Sequence, residues 1–361
     1  MKRRGKSVLL LYNLPRDETC RPLAPAWKES DAGILDQVNA VAASLDRLRV
    51  AHRVLGIRLL RDLPRVLTGS PEPIVFNLIE GVHDLPSDAN FVPAICHAYG
   101  KACTGNDTPC LMFALDKWHT NALLRAAGLP CPRGVRVHLG QRVPRAELPP
   151  GPWIVKPVSS DASEGIDAKS IIRRPGPALR EAVRRIHELV GQPALVEQFI
   201  EGRELNVALL QRGERVETLP IAEIDFSAFG PGRPRIVDYA AKWLADSFEY
   251  QHTPRLIPAR LPARQAERVR RCALATWHAL GCRDYVRVDL RLTPQGEPVI
   301  LEVNPNPDIT PEAGFAAALE AARISYDGFV ETLLDNAAAR LAASEQPFIP
   351  LSIRSKRLAA P

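Results

Sequence analysis

The segment from Tyr285 to Asn304 constrains this chain more than any other. Successive side chains of a strand point to opposite faces, so Val286, Val288, Leu290 and Leu292 lie on one side and Arg287, Asp289 and Arg291 on the other. The link Thr293-Pro294-Gln295-Gly296 is turn chemistry and Pro298 to Val303 is a second strand, so the segment reads as a hairpin. Strict alternation in that second strand places Val299, Leu301 and Val303 on the apolar face, with Ile300, Glu302 and Asn304 opposite. Paired, the two strands converge Asp289, Glu302 and Asn304, with Arg287 beside them. Three hard oxygen donors suit Mg2+ held by carboxylates together with nucleotide phosphates. The competing reading is a solvated polar face. Two strands carrying only acidic or amide donors at matched parity weigh against it.

Composition bounds the rest. A length of 361 residues suggests two or three domains, and 46% hydrophobic with 24% charged residues excludes fibrous and disordered classes. The 33 prolines, about twice the usual frequency, imply many rigid turns and exclude a simple long-helix bundle. A net charge of +6 without a dense basic block fits anionic small molecules as well as nucleic acid. The pairs Arg184-Arg185 and Arg270-Arg271 read as solvated helix faces. The 7 cysteines show neither CxxC nor Cys/His spacing, which points to buried free thiols in a reducing cytosol. The basic start and apolar run of the N-terminus imitate a signal peptide, but Val8 to Tyr12 is too short and reads as a first buried strand. No segment approaches the roughly 20 apolar residues of a membrane span.

Along the chain, Asp36 to Leu48 has helical spacing, while Val8 to Tyr12, Arg53 to Leu60 and Pro73 to Ile79 read as strands. Strand–helix–strand alternation with short links argues a parallel, doubly wound N-terminal subdomain. A helix from Asp116 to Ala127 ends at Gly128, and a Pro/Gly-dense link precedes the strand Trp153 to Lys156. That strand delivers Lys156 into a Ser/Gly loop, Pro157 to Ile166, with the donors needed to grip phosphate oxygens; taken alone this is a common loop pattern. A helix from Ala178 to Val190 leads to the strand Leu195 to Ile200 and an acidic turn, Glu201-Gly202-Arg203-Glu204. Leu205 to Gln211 and Val216 to Ile224 read as antiparallel strands, Ala263 to Leu280 as a long helix, and two helices follow the hairpin.

The order of these pieces resembles the ATP-grasp superfamily, most closely its D-alanine–D-alanine ligase-like branch. The matching stretches are Leu115-Asp116-Lys117, Ile154-Val155-Lys156-Pro157, Leu195 to Glu204, Asp238-Tyr239-Ala240-Ala241-Lys242, Asp284 to Asp289, and Leu301-Glu302-Val303-Asn304-Pro305. The resemblance implies an α/β (α+β overall) ATP-grasp fold, in which the N-terminal parallel-sheet subdomain is followed by two lobes clamping ATP. Boundaries expected on that basis are 1–115, 116–204 and 205–343, with 344–361 as a tail. Lys117, Lys156 and Lys242 correspond to lysines on the nucleotide phosphates, and Ser163 and Gly165 to the loop covering them. Glu197, Gln198, Phe199 and Ile200 correspond to the segment reading the adenine edge, and Glu204 to the carboxylate on the ribose. Asp289, Glu302 and Asn304 correspond to ligands of two Mg2+ ions, with Mn2+ an alternative. Arg287 corresponds to the arginine that stabilises the acyl phosphate and the tetrahedral intermediate. The implied activity joins a carboxylate to an amine, both small molecules of the amino-acid kind, through an acyl phosphate. ADP and phosphate are released.

The same comparison marks departures. Asn13 to Glu18 replaces the family's Gly-rich turn and substrate glutamate, for which Glu29 or Asp31 is the available substitute. Ala162 replaces a loop serine, Trp243 an aromatic hydroxyl, and Ala313-Gly314 the Ser-Leu pair on the second substrate's carboxylate. His83 lies where the family has a substrate loop. The expectation is a cytoplasmic carboxylate–amine ligase, a homodimer by resemblance, acting without nucleic acid or membrane on substrates other than two D-alanines. The alternatives are a grasp-fold kinase, a non-catalytic nucleotide-binding protein, and a true D-alanine–D-alanine ligase with a diverged pocket.

Overall fold

A computed structural model describes residues 7–15, 28–82, 86–160, 163 and 165–344. The apolar run near the start forms β1 (Val8–Asn13), which pairs in parallel with β2 (His52–Ile57) and β3 (Ile74–Leu78); β4 (Ala102–Cys103) adds to β3, giving the order β2-β1-β3-β4. Five consecutive buried residues in β3 suit a parallel sheet covered on both faces. A second sheet, all antiparallel, comprises β5 (Gly134–Val137), β6 (Trp153–Pro157), β7 (Ile171–Ile172) and β8 (Ala194–Gln198) in the order β5-β8-β6-β7. A third is built from β9 (Arg203–Arg212), β10 (Arg215–Thr218), β11 (Ala222–Ile224), β12 (Arg255–Leu256), β13 (Tyr285–Leu292) and β14 (Pro298–Asn304). Its order is β12-β11-β9-β13-β14, with β10 also on β9.

The helix Ala263–Leu280 forms over the expected residues and stops where Gly281 adopts a left-handed conformation. One side of the third sheet packs on it through Val269, Ala273 and Trp277. The other side joins the N-terminal sheet: Tyr285 and Leu210 share a core with Phe76, Phe315 and Phe329. Asp284, fully buried, fastens this junction by accepting from Gly105 N–H (2.7 Å), Asn336 Nδ2 (3.1 Å) and both Arg340 Nη groups (2.8 Å each). No described helix is long and apolar enough to cross a membrane. The six described cysteines are free thiols, five of them buried.

Three sequence expectations are corrected. The first long helix covers Lys28–Arg47, starting eight residues before the periodic stretch. The single strand expected from Val216 to Ile224 is two, because Pro220, which has no N–H to give to a ladder, falls between β10 and β11. The third concerns the hairpin. Asp289 opposes Glu302, but Leu290 opposes Ile300, so Leu301 is the extra residue of a β-bulge. Ile300 is therefore fully buried in the core and Leu301 faces the cavity, the reverse of strict alternation.

Candidate active site

Between the second and third sheets and the ends of β1 and β3 lies a cavity of about 1250 Å3. It is lined by Lys117, Lys156, Ser163, Glu204, Lys242, Trp243, Arg287, Asp289, Glu302, Asn304, Ala313 and Gly314, so most of the sequence candidates converge on one space. Lys117 enters at the first turn of the helix Lys117–Ala126, whose cap is Asp116 accepting from His119 N–H at 2.9 Å. Its Nζ lies 2.8 Å from Glu302 Oε1 and donates to the Ser160 carbonyl at 2.5 Å. Lys156, on β6, is paired with Glu197 Oε1 on the adjacent β8 at 2.6 Å, both residues buried. Asn121 Nδ2 donates to the other Glu197 oxygen at 3.1 Å and so holds the pair in register. Lys242 sits in the short helix Tyr239–Trp243, capped by Asp238 accepting from Ala241 N–H at 3.0 Å.

The hairpin side chains form a polar ladder. Arg287 donates from Nε (2.8 Å) and Nη2 (2.9 Å) to the two Asp289 oxygens, a bidentate pair. Asn304 Nδ2 donates to Asp289 Oδ2 at 3.0 Å, and Asn206 Nδ2, from β9, to Oδ1 at 2.7 Å. Burial pushes the Glu302 carboxyl up, but Lys117, then Lys156 and Lys242, overcome that and hold it at about 2. Burial pushes the Arg287 guanidinium down, and Asp289, followed by Glu302 and Asp308, more than reverses it, so Arg287 stays charged. Glu204 is raised by burial against the opposing pull of Arg291, whose Nη2 lies 2.6 Å away.

Other sequence candidates lie away from the cavity lining or outside the described residues. Gly165 does not line the cavity; it packs against Pro157, Ile186 and Val190. Glu197, Gln198, Phe199 and Ile200 do not line it either. Gln198 N–H donates to the Arg133 carbonyl and Phe199 N–H to that of Pro152, at 2.8 Å each. The Glu29 side chain, with those of Asp31 and Ala162, and all of His83 lie outside the described residues. Ser163 adopts a left-handed φ of 60° and donates its Oγ to the Val237 carbonyl at 2.9 Å.

Among the cavity residues not singled out from sequence, four polar ones stand out. Asn206 is signalled only as an amide in an apolar strand. Arg291, 3% exposed, lies 5.7 Å from the centroids of both Phe199 and Phe226 and donates to the carbonyls of Gly202 (3.0 Å) and Arg235, which fixes Glu204. Glu80 accepts from Gln37 Nε2 at 2.8 Å, and its N–H donates to Asn13 Oδ1 at 3.0 Å. Arg255, the fourth, lies on the two-residue β12.

Residues 145–335, over half of the chain, match the family described as D-ala D-ala ligase C-terminus. The chain belongs to the D-alanine–D-alanine ligase family of ATP-grasp proteins. It is an ATP-dependent ligase forming C–N bonds. The D-alanine–D-alanine ligase of Pelobacter propionicus is 30% identical over 286 residues, 78% of this chain and 84% of that one. That of Albidiferax ferrireducens is 31% identical over 247 residues, 68% and 67% of the two chains. An uncharacterized protein of Sinorhizobium fredii, y4sG, is 33% identical over 283 residues, 77% and 79% of the two. In fold, the chain is similar to the Bacillus anthracis D-alanine–D-alanine ligase solved with ATP (TM-score 0.72, 18% identity, covering 94% of this chain and all of that one). It is likewise similar to the VanG D-Ala:D-Ser ligase of Enterococcus faecalis (TM-score 0.69, 20% identity, covering 92% and 100%).

The donor set fits the family's Mg2+. Among the described residues no three His, Cys, Asp or Glu side chains group as a metal site. Asp289 and Glu302 supply two carboxylates, and Asn304, with Nδ2 turned to Asp289, offers its amide oxygen. Such a partial oxygen set suits an ion that keeps waters and phosphates as its other ligands.

Proposed function

We propose that the chain activates a small-molecule carboxylate as an acyl phosphate and joins it to an amine of the amino-acid class, releasing ADP and phosphate, with substrates other than two D-alanines. The observation that carries this reading is the convergence of Lys117, Lys156, Lys242 and Arg287 on the same cavity as Asp289, Glu302 and Asn304. The lysines would bind and orient the triphosphate and Glu204 the ribose, while Arg287, placed by its two bonds to Asp289, would face the acyl carbon. Mg2+, as two ions or replaced by Mn2+, would be held by Asp289, Glu302 and Asn304 and would neutralise phosphate charge. A substrate carboxylate oxygen attacks the γ-phosphorus and ADP leaves. The amine then attacks the acyl carbon, the C–O bond to phosphate breaks, and the amine's proton is lost. No protein nucleophile is required; positioning and electrostatic stabilisation supply the effect.

An acyl-transfer step needs a cation beside the developing oxyanion, and Arg287 in the metal set supports a ligase over a phosphate-transferring kinase. Trp243, Ala313 and Gly314 in the cavity wall support an acceptor pocket different from the family pattern that the resemblance implies, since each lacks a hydroxyl or side chain. The test is release of ADP and phosphate with a panel of amino acids in both configurations, with products read by mass. Amide products and free phosphate in equal amounts are expected. A phosphorylated acceptor without free phosphate would overturn the reading.

A further inference from the structure

Where β1 and β3 end against the cavity, three asparagines enter its wall: Asn13, Asn77 and Asn90, which are 8%, 7% and 7% exposed. Leu11 pairs with Asn77, so Asn13, two residues further along β1, shares the face of the sheet that Asn77 occupies. Ala89, next to Asn90, packs on that same face with Leu9, Leu11, Val75 and Ile79. The three amides therefore gather at the carboxyl edge of a parallel sheet, where open sheets of this kind take ligands.

Their hydrogen bonding is incomplete. Asn13 Oδ1 accepts from Glu80 N–H at 3.0 Å and Asn77 Oδ1 from Ile79 N–H at 3.2 Å, but neither Nδ2 donates to a described residue. The Asn90 main-chain carbonyl accepts from Thr108 Oγ1 at 2.6 Å, whereas its side-chain amide has no partner at either atom among the described residues. None of these amide atoms is sealed from the cavity. Leucine has nearly the shape of asparagine without the cost of a polar group held away from water, so packing alone does not account for three such amides in one place.

The unused groups are three NH2 donors and one carbonyl acceptor, Asn90 Oδ1. A carboxamide complements them: its oxygen accepts from two of the donors and its NH2 donates to Asn90 Oδ1. A carboxylate has no proton for Asn90 Oδ1 and would meet Asp36 and Glu80, which line the same end of the cavity. An apolar side chain would leave every one of these groups unpaired.

We propose that Asn13, Asn77 and Asn90 form a specificity site for a side-chain carboxamide on one of the two substrates that the ligase joins. This rests on the ligase reading and names a substrate class within it.

The full chain, with ATP and Mg2+, is offered a pool of the common amino acids in both configurations, with products read by mass. One partner in the amide products should be asparagine or glutamine, used about 100-fold or more in preference to leucine and methionine, which match them in shape, and to aspartate and glutamate. Products without a carboxamide side chain, formed as readily, would overturn the role of the asparagines and leave the ligase reading standing. No amide product from any pool member would overturn the ligase reading and this inference with it. Asn90→Leu should narrow the preference for the carboxamide over its apolar match about 10- to 100-fold, with the KM for ATP unchanged. Its melting temperature should stay the same or rise, because the Asn90 amide bonds to no described residue. Asn90→Ser, which keeps a donor and an acceptor, should recover part of the preference. An unchanged preference in Asn90→Leu would contradict the proposal.

Discussion

Along β13 and β14 the cavity's charges meet partners before any ligand arrives: Arg287 with Asp289, Lys117 with Glu302, and behind them Lys156 with Glu197. Around Gly314 the arrangement differs. Among the described residues the Arg255 guanidinium has no hydrogen-bond or ion-pair partner, and Ala313, the N-cap of the helix Gly314–Ala321, makes no side-chain capping bond. Strand pairing positions the side chains of the first wall, which the proposed function gives to the nucleotide and metal. The second is assembled from a two-residue strand and a helix start. On the proposed function, the difference teaches that a wall of short elements can diverge while a strand-paired wall is retained.

The largest expected effect lies on the first wall. Glu302→Gln should lower phosphate release by about 10³-fold or more while the melting temperature stays within a few degrees, since it removes a metal carboxylate at nearly constant volume. Activity that survived would break the metal assignment. Arg287→Gln should lower kcat by about 10²- to 10³-fold with little change in ATP binding, measured by titration calorimetry against single-turnover rates. Equal losses in binding and kcat would move Arg287 from the acyl carbon to the nucleotide.

Arg291→Leu leaves Glu204 buried beside a lost cation, so the KM for ATP should rise about tenfold and stability should fall by about 3 kcal/mol, read by denaturant titration. No change in either would remove Arg291 from its positioning role. The smallest effect is on acid stability. Glu302 is held near 2, below its ordinary 4.5, so its contribution is complete above about pH 4.5 and is lost as pH falls through 2. The stability gap between wild type and Glu302→Gln should therefore narrow by about 1–3 kcal/mol over that window. Glu204 has the opposite sign: a raised carboxyl costs stability as it ionises, so the loss in Glu204→Gln should shrink, or become a gain, as pH rises above 4.5.

Much of the first wall was legible from sequence because strand periodicity places Asp289 and Arg287 together and the Asp116 cap announces the helix that carries Lys117. The bulge was not legible, since an extra residue leaves no mark in an alternating pattern, and strict alternation put Ile300 and Leu301 on the wrong faces. Asn206 reaches Asp289 through a pairing 83 residues apart in the chain, and no local rule reports it. Arg255 was hidden for a related reason. Its guanidinium lies close to Gly314, far along the chain, and no local rule reports that contact.

The most direct measurement uses a carboxylate substrate, identified from the amino-acid panel and labelled with ¹⁸O in its carboxyl group. Activation through an acyl phosphate moves one labelled oxygen into the released phosphate for each amide bond formed, and the account predicts that transfer. Unlabelled phosphate, or phosphate retained on the product, would contradict it.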